Sequence, residues 1–182
     1  MENSLKPFET TPLSRDLVAD LRSDHAGECG AVAIYTGILA VTREPDVRRF
    51  AEAHRQTERV HRAFFDQWLP REHRSRLLPV WKAAGWLLGA FSALFGAKTV
   101  YRTISAVETF VEKHYEEQIV KMEVVPELAA LTAKLRQFCE EEVEHRDDAA
   151  SRFDRPVGYT SRLWFRIVGT GSSVGVALAR RI

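Results

Sequence analysis

A lone Glu followed, one helix later, by a Glu-x-x-His pair occurs twice in this chain. The first copy is Glu28 with Glu58 and His61; the second is Glu108 with Glu142 and His145. From lone Glu to paired Glu the distance is 30 residues in the first copy and 34 in the second. Residues three apart on a helix share a face, one turn up. Each Glu-x-x-His therefore converges on one point, and each lone Glu need only face that point from another helix. Four Glu and two His in this order form the ligand set of a carboxylate-bridged di-iron or di-manganese site inside a four-helix bundle. Oxygen and imidazole donors suit those metals, and the lack of thiolates argues against a structural zinc site. Two divalent ions would neutralise the four carboxylates. Two bridging carboxylates with two terminal ligand pairs would leave open positions for oxygen.

The competing reading makes these residues solvated faces of charged helices, since one Glu-x-x-His is a weak pattern. Context decides against it. Glu28 lies in DHAGECGAVAIY and Glu108 in ISAVETF, both among small and apolar residues. An unpaired buried carboxylate is costly, and a metal removes that cost. Tyr35 and Tyr115 each lie seven residues after a lone Glu, so each shares its face. Both fit core aromatics at heptad spacing. Both also fit a hydrogen bond behind a ligand or a contact to substrate. His25, His54 and His114 are further candidates for such support, against a plainer reading as polar helix-flank residues.

The elements that must hold these residues are almost all helical, because charged and apolar residues recur at three and four. The first helix is expected from Asp16 or Asp24 to Val41, broken or capped near Ser23-Asp24. Pro45 opens a second, to about Trp68. The most apolar segment is Leu77 to Ala97. A long helix spans Thr99 to Val124, and Pro126 opens another to about Arg152. Pro156 and Gly158 punctuate the chain before an apolar tail helix, Tyr159 to Ile182. Residues 1–14 are expected to be a flexible lead-in, with a single domain over 15–182.

With 182 residues the chain suffices for one domain with a real core. A net charge of +1 gives no electrostatic case for nucleic acid. Cys29 and Cys139 make no disulfide framework, which fits a reducing compartment. The first residues lack the apolar core of a signal peptide and do not resemble a transit peptide.

From Ala83 to Ala97 there is no charge, and Trp81, Trp86, Phe91 and Phe95 fall in or beside the run. A bilayer span needs about 20 apolar residues. Lys82 and Pro79 shorten the run, and Gly85, Gly89 and Gly96 loosen it. An interfacial helix or hairpin is expected, with a buried crossover helix as the alternative. In the tail, the glycines of GTGSSVG (169–175) match neither a dinucleotide fingerprint nor a phosphate loop. Close helix packing accounts for them better.

The chain resembles the demethoxyubiquinone hydroxylase family. The residues that carry the resemblance are DHAGECGA (24–31), TERVH with Glu58 and His61, AVETFVEKHYEEQI with Glu108, His114 and Tyr115, and EEVEHRDD with Glu142 and His145. LLPVWKAAGWLLGAFSALFG resembles the family's membrane-binding stretch. Cys29, Arg146 and the terminal ARRI depart from the family pattern, and none is a predicted ligand.

The resemblance implies an all-α, ferritin-like four-helix bundle with an apolar membrane-associating segment and a C-terminal helix. It implies two carboxylate-bridged Fe ions held by Glu28, Glu58, His61, Glu108, Glu142 and His145. The activity implied is hydroxylation of a polyprenylated methoxy-methyl-benzoquinol in ubiquinone biosynthesis, with O2 and NADH as co-substrates. A quinol, a membrane surface and accessory proteins are the implied partners, and a homo-oligomer is compatible with them. The missing transit peptide favours the cytoplasmic face of a bacterial inner membrane over a mitochondrial one. The rivals are another ferritin-like di-metal oxidase or ferroxidase, and a non-catalytic quinone- or lipid-binding bundle.

Overall fold

The computed structural model describes residues 5–153 and 158–182. Among the described residues six α-helices follow one another: α1 (Arg15–Val41), α2 (Pro45–Trp68), α3 (Leu78–Leu94), α4 (Ala97–Glu123), α5 (Ala129–Ser151) and α6 (Tyr159–Ala179). Short 3-10 turns cover Phe8–Thr10, Arg71–His73 and Pro126–Leu128. There is no strand among the described residues. This is an all-α bundle of ferritin-like type.

Helix α1 runs unbroken, which corrects the expected break near Ser23-Asp24. The cap lies earlier, where the Ser14 hydroxyl accepts from the Leu17 N–H at 3.2 Å. Ser23 instead donates back to the Asp20 carbonyl at 2.6 Å. Ser23 and Asp24 are polar because they face α4, not because the helix ends there. Ser23 meets His114, and Asp24 accepts from Gln118 at 2.8 Å. The other helix bounds agree with the sequence pattern to within a few residues. Pro156 lies outside the described residues.

Side-chain contacts fix the topology. Tyr115 reaches Glu28 and Tyr35 reaches Glu108, so α1 and α4 are antiparallel. His61 meets Glu142 and Glu58 meets His145, so α2 and α5 are antiparallel too. Helix α3 carries the chain from the end of α2 back to the start of α4. It packs lengthwise on α1, and α6 packs on α4 and α1. The apolar segment is therefore the crossover that links the two halves.

Glycine makes that crossover possible by close approach. A Cβ on Gly89 would sit 1.9 Å from the Ile34 carbonyl oxygen, and one on Gly37 would sit 2.1 Å from that of Trp86. The α3 glycines thus lock the helix onto α1 rather than loosening it, contrary to the sequence expectation. Gly96, at φ 87°, makes the turn from α3 into α4. In the tail, Gly175 makes room for the Trp81 ring, while Gly169 and Gly171 face open space.

The buried apolar side chains form two clusters. One gathers Ile34, Ile38, Phe50, Tyr101 and Ile104; the other gathers Leu21, Phe65, Leu131, Leu135 and Phe138. The paired carboxylates and histidines lie on the same four helices between these clusters. The segment before α1 is packed as well. Phe8 meets the Trp68 ring edge-on at 5.4 Å, and the Trp68 indole N–H donates to the Lys6 carbonyl at 2.9 Å.

Candidate metal centre

All six predicted residues converge, and all are buried. They form two overlapping groups: Glu28, Glu58, His61 and Glu142, and Glu58, Glu108, Glu142 and His145. In each group one ligand atom per residue lies within 4.8 Å of the others. Glu58 and Glu142 belong to both. They stand where bridging carboxylates would stand, flanked by Glu28 with His61 on one side and Glu108 with His145 on the other.

His61 points Nδ1 inward, 3.0 Å from Glu142, 3.5 Å from Glu28 and 3.8 Å from Glu58. None of these contacts is aligned as a hydrogen bond. Both Glu58 oxygens, Glu28 Oε2 and His61 Nδ1 are buried without a hydrogen-bond partner. Native proteins rarely leave such atoms unpaired. His145 Nδ1 also points inward, 3.1 Å from Glu58 and 3.2 Å from Glu142.

The electrostatics demand positive charge here. Burial, then the charge on Glu142, pushes the Glu58 carboxyl up to about 8. The same two causes raise Glu108 well above the usual carboxylate range. Burial opposes ionisation of Glu142, but the close His145 and His61 imidazoles outweigh it and hold that carboxyl at about 2. Burial also disfavours the imidazolium forms, yet the close Glu142 and neighbouring carboxylates raise His61 to about 12 and His145 to about 11. The carboxylates need either protons on the imidazoles or metal ions between the ligands. The donor set and its unpaired atoms fit two oxygen-seeking divalent ions.

The two tyrosines act across the halves. Tyr115 donates to Glu28 Oε1 at 2.5 Å and Tyr35 to Glu108 Oε1 at 3.3 Å. Each shares a helix with one lone Glu and bonds the other, as antiparallel α1 and α4 require. Burial keeps both hydroxyls protonated. His54 bonds Asp148 at 2.9 Å and meets the His145 ring edge-on at 4.3 Å. His25 turns to Asp66 at 3.0 Å, away from the ligands. His114 supports no ligand; it lies 3.2 Å from Asp24 and 3.0 Å from Ser23.

Sequence reasoning missed Glu141, Asp24 and Gln118. Glu141 lies 2.5 Å from the outer nitrogen of His61. It sits in a run of three Glu, where spacing alone cannot separate ligand, support and surface. Asp24 was visible in DHAGE but carried no role. Burial raises its pKa against the pull of His114, and its Oδ2 lacks a partner.

A cavity of about 370 Å³ joins this cluster to the outer helices. Glu28, Glu58, Glu108 and Glu142 form its inner end, and Asp24, Ser23 and His114 add polar groups to its wall. Ile34, Leu88, Val107, Val111, Ile167 and Val168 make much of the rest apolar. Trp81 and Trp164 line it from α3 and α6. This is a mostly apolar path with few convergent polar groups.

Comparison with known proteins agrees with the resemblance. The family described as Ubiquinone biosynthesis protein COQ7 matches residues 15–179. The NADPH-dependent 3-demethoxyubiquinone 3-hydroxylase, mitochondrial, of Mus musculus is 34% identical over 165 residues, covering 88% of this chain and 76% of its own. The protein of the same name from Dictyostelium discoideum is 32% identical over 190 residues, covering 100% of this chain and 85% of its own. The 3-demethoxyubiquinol 3-hydroxylase of Rhodospirillum rubrum is 39% identical over 132 residues, covering 70% and 60%.

Proposed function

The chain belongs to the Ubiquinone biosynthesis protein COQ7 family, the demethoxyubiquinone hydroxylases, and from that premise we propose how it works. It hydroxylates the ring of a polyprenylated demethoxyubiquinol at two iron ions held by Glu28, Glu58, His61, Glu108, Glu142 and His145. The observation that carries this reading is the pair of four-residue groups sharing Glu58 and Glu142 at the inner end of an apolar cavity. Metals bound there would supply reductive activation of O2, with one oxygen atom entering the ring, the other leaving as water and two electrons coming from a nicotinamide. The names of the mouse and Dictyostelium relatives specify NADPH, where the resemblance implied NADH.

The chain's own residues position and protect. Tyr115 and Tyr35 fix one oxygen each of Glu28 and Glu108, leaving the other oxygens for metal. Glu141 holds the His61 ring with Nδ1 inward. Asp24 Oδ2 is free to accept a hydrogen bond from a ring hydroxyl, and His114 Nε2, 3.2 Å from Oδ1, holds the carboxylate in place. Apolar walls exclude water and receive the prenyl chain. The exposed apolar side chains of α3 and α6 dock on a membrane, where such a substrate resides. No helix among the described residues is long and apolar enough to cross one. A ferroxidase has no use for this apolar route.

The test is turnover. Iron-loaded protein supplied with ¹⁸O2, NAD(P)H and a short-chain demethoxyubiquinone should yield a ring carrying one ¹⁸O. Glu142→Ala should abolish the product. Product formation that is indifferent to iron or to Glu142→Ala would overturn the reading.

A further inference from the structure

Helices α3 and α6 present one continuous outward surface. Trp81 of α3 seats on Gly175 of α6, and Phe91 of α3 stacks on Trp164 of α6 with ring centroids 5.7 Å apart. Large apolar side chains project from it: Val80, Leu87, Phe91 and Leu94 from α3, Phe95 just after it, and Leu163, Ile167, Val174 and Leu178 from α6. Leu94 is 70% exposed and Phe95 65%. Exposed apolar side chains gathered on one face mark an interaction surface.

Its charge is one-sided. Residues 73–107 contain no Asp or Glu, and neither do residues 158–182. The described acids of this nearly neutral chain lie elsewhere, on the other four helices and the turns that join or precede them. Basic residues remain on the two segments. Arg76, Lys82, Arg166 and Arg181 are exposed and make no ion pair among the described residues. A protein-binding face usually mixes signs, and a second copy docked here would set cations against cations. A surface of negative headgroups over hydrocarbon meets both features at once.

We propose that the α3–α6 face selects anionic lipid, with Arg76, Lys82, Arg166 and Arg181 binding headgroup phosphates around an apolar patch that enters the acyl region. This rests on the membrane-docking reading above and adds headgroup selectivity to it. Phosphate contacts from the rim orient the cavity between α3 and α6 toward the bilayer.

The experiment is vesicle sedimentation of the iron-loaded chain. Two vesicle types are compared: phosphatidylcholine alone, and phosphatidylcholine mixed with phosphatidylglycerol. Binding to the mixed vesicles should be tighter by about fivefold per engaged cation and should weaken with salt. Charge reversal at Lys82→Glu, Arg166→Glu and Arg181→Glu should remove the preference. It should leave iron content, helicity and residual binding to phosphatidylcholine intact. Gln at the same three positions, as a milder set should the reversals misfold, should give an intermediate loss. Equal, salt-independent binding to both vesicles would sink the selectivity and leave docking standing. No binding to either would sink docking and selectivity together. A dimer in the absence of lipid that is dispersed by Leu94→Asp would assign the face to a second copy and overturn the proposal.

Discussion

On the Glu28 side of the cluster, His61 turns its outer nitrogen to Glu141 at 2.5 Å, and Glu28 receives the Tyr115 hydroxyl at 2.5 Å. On the Glu108 side, His145 lies against the His54 ring at 4.3 Å, and Glu108 receives the Tyr35 hydroxyl at 3.3 Å. The ligand residues repeat; their supports do not. A carboxylate behind an imidazole fixes the ring and raises its basicity, and short charge-assisted bonds fix a carboxylate. On the proposed reading, the first position would be the more rigid and more electron-rich of the two. An internally repeated sequence has produced two inequivalent groups that could hold a metal ion.

The largest effect should come from breaking what the two sides share. Glu142→Ala removes a residue common to both groups, so iron should fall from about two per chain to near zero. Glu28→Ala or Glu108→Ala touches one side only and should leave about one iron per chain. Metal analysis after reconstitution reads all three. Equal losses in the three variants would remove the distinction between shared and terminal ligands.

Next in size is the support behind His61. Glu141→Gln should weaken metal binding at the Glu28 side by about 10- to 100-fold, the range seen when such outer partners are removed. His54→Ala should change the other side less, because it removes a ring contact and no carboxylate. Mössbauer spectra should resolve two ferric environments in the parent protein, and Glu141→Gln should shift one of them. Identical environments in the parent would erase the asymmetry argued here.

The repeat itself was legible in the sequence because a metal needs fixed donors at fixed spacing. All six residues that the spacing selected do meet in the structure. The supports were not legible, because they depend on which helices face each other. Tyr35 was placed on the face of Glu28 with no ligand assigned to it. Its hydroxyl bonds Glu108, since antiparallel α1 and α4 bring the two together. Glu141 is one of three consecutive acids, and only the α2–α5 contact picks it out. The α3 glycines read as flexibility, yet they are contact points, because sequence does not show what a missing side chain would strike. Ser23-Asp24 read as a cap and is instead a buried polar contact to α4.

Acid should blur the comparison on both sides at once. His61 and His145 are raised to about 12 and about 11, so protons compete with metal throughout the neutral range. Each imidazole must lose its proton to bind an ion. Metal affinity should therefore rise with pH, about tenfold per unit for each proton released. Fe²⁺ titrations under anaerobic conditions between mildly acidic and mildly basic pH check the sign and the slope. A flat profile would mean that the histidines are already neutral before metal arrives.

The smallest effect separates the tyrosines. Both hydroxyls are buried donors to carboxylates, so Tyr→Phe leaves a buried acceptor short of a partner at either site. The 2.5 Å bond is the stronger, and it holds the better-supported side. Tyr115→Phe should cost about 1–3 kcal/mol, the range for an orphaned buried acceptor. Tyr35→Phe should fall near the lower end, because its 3.3 Å bond has less to lose. Urea unfolding of the two variants under metal-free conditions measures the difference directly. If Tyr35→Phe proves the more damaging, the Glu108 side relies more on its tyrosine than the distances imply, and the order of rigidity assigned to the two sides is reversed.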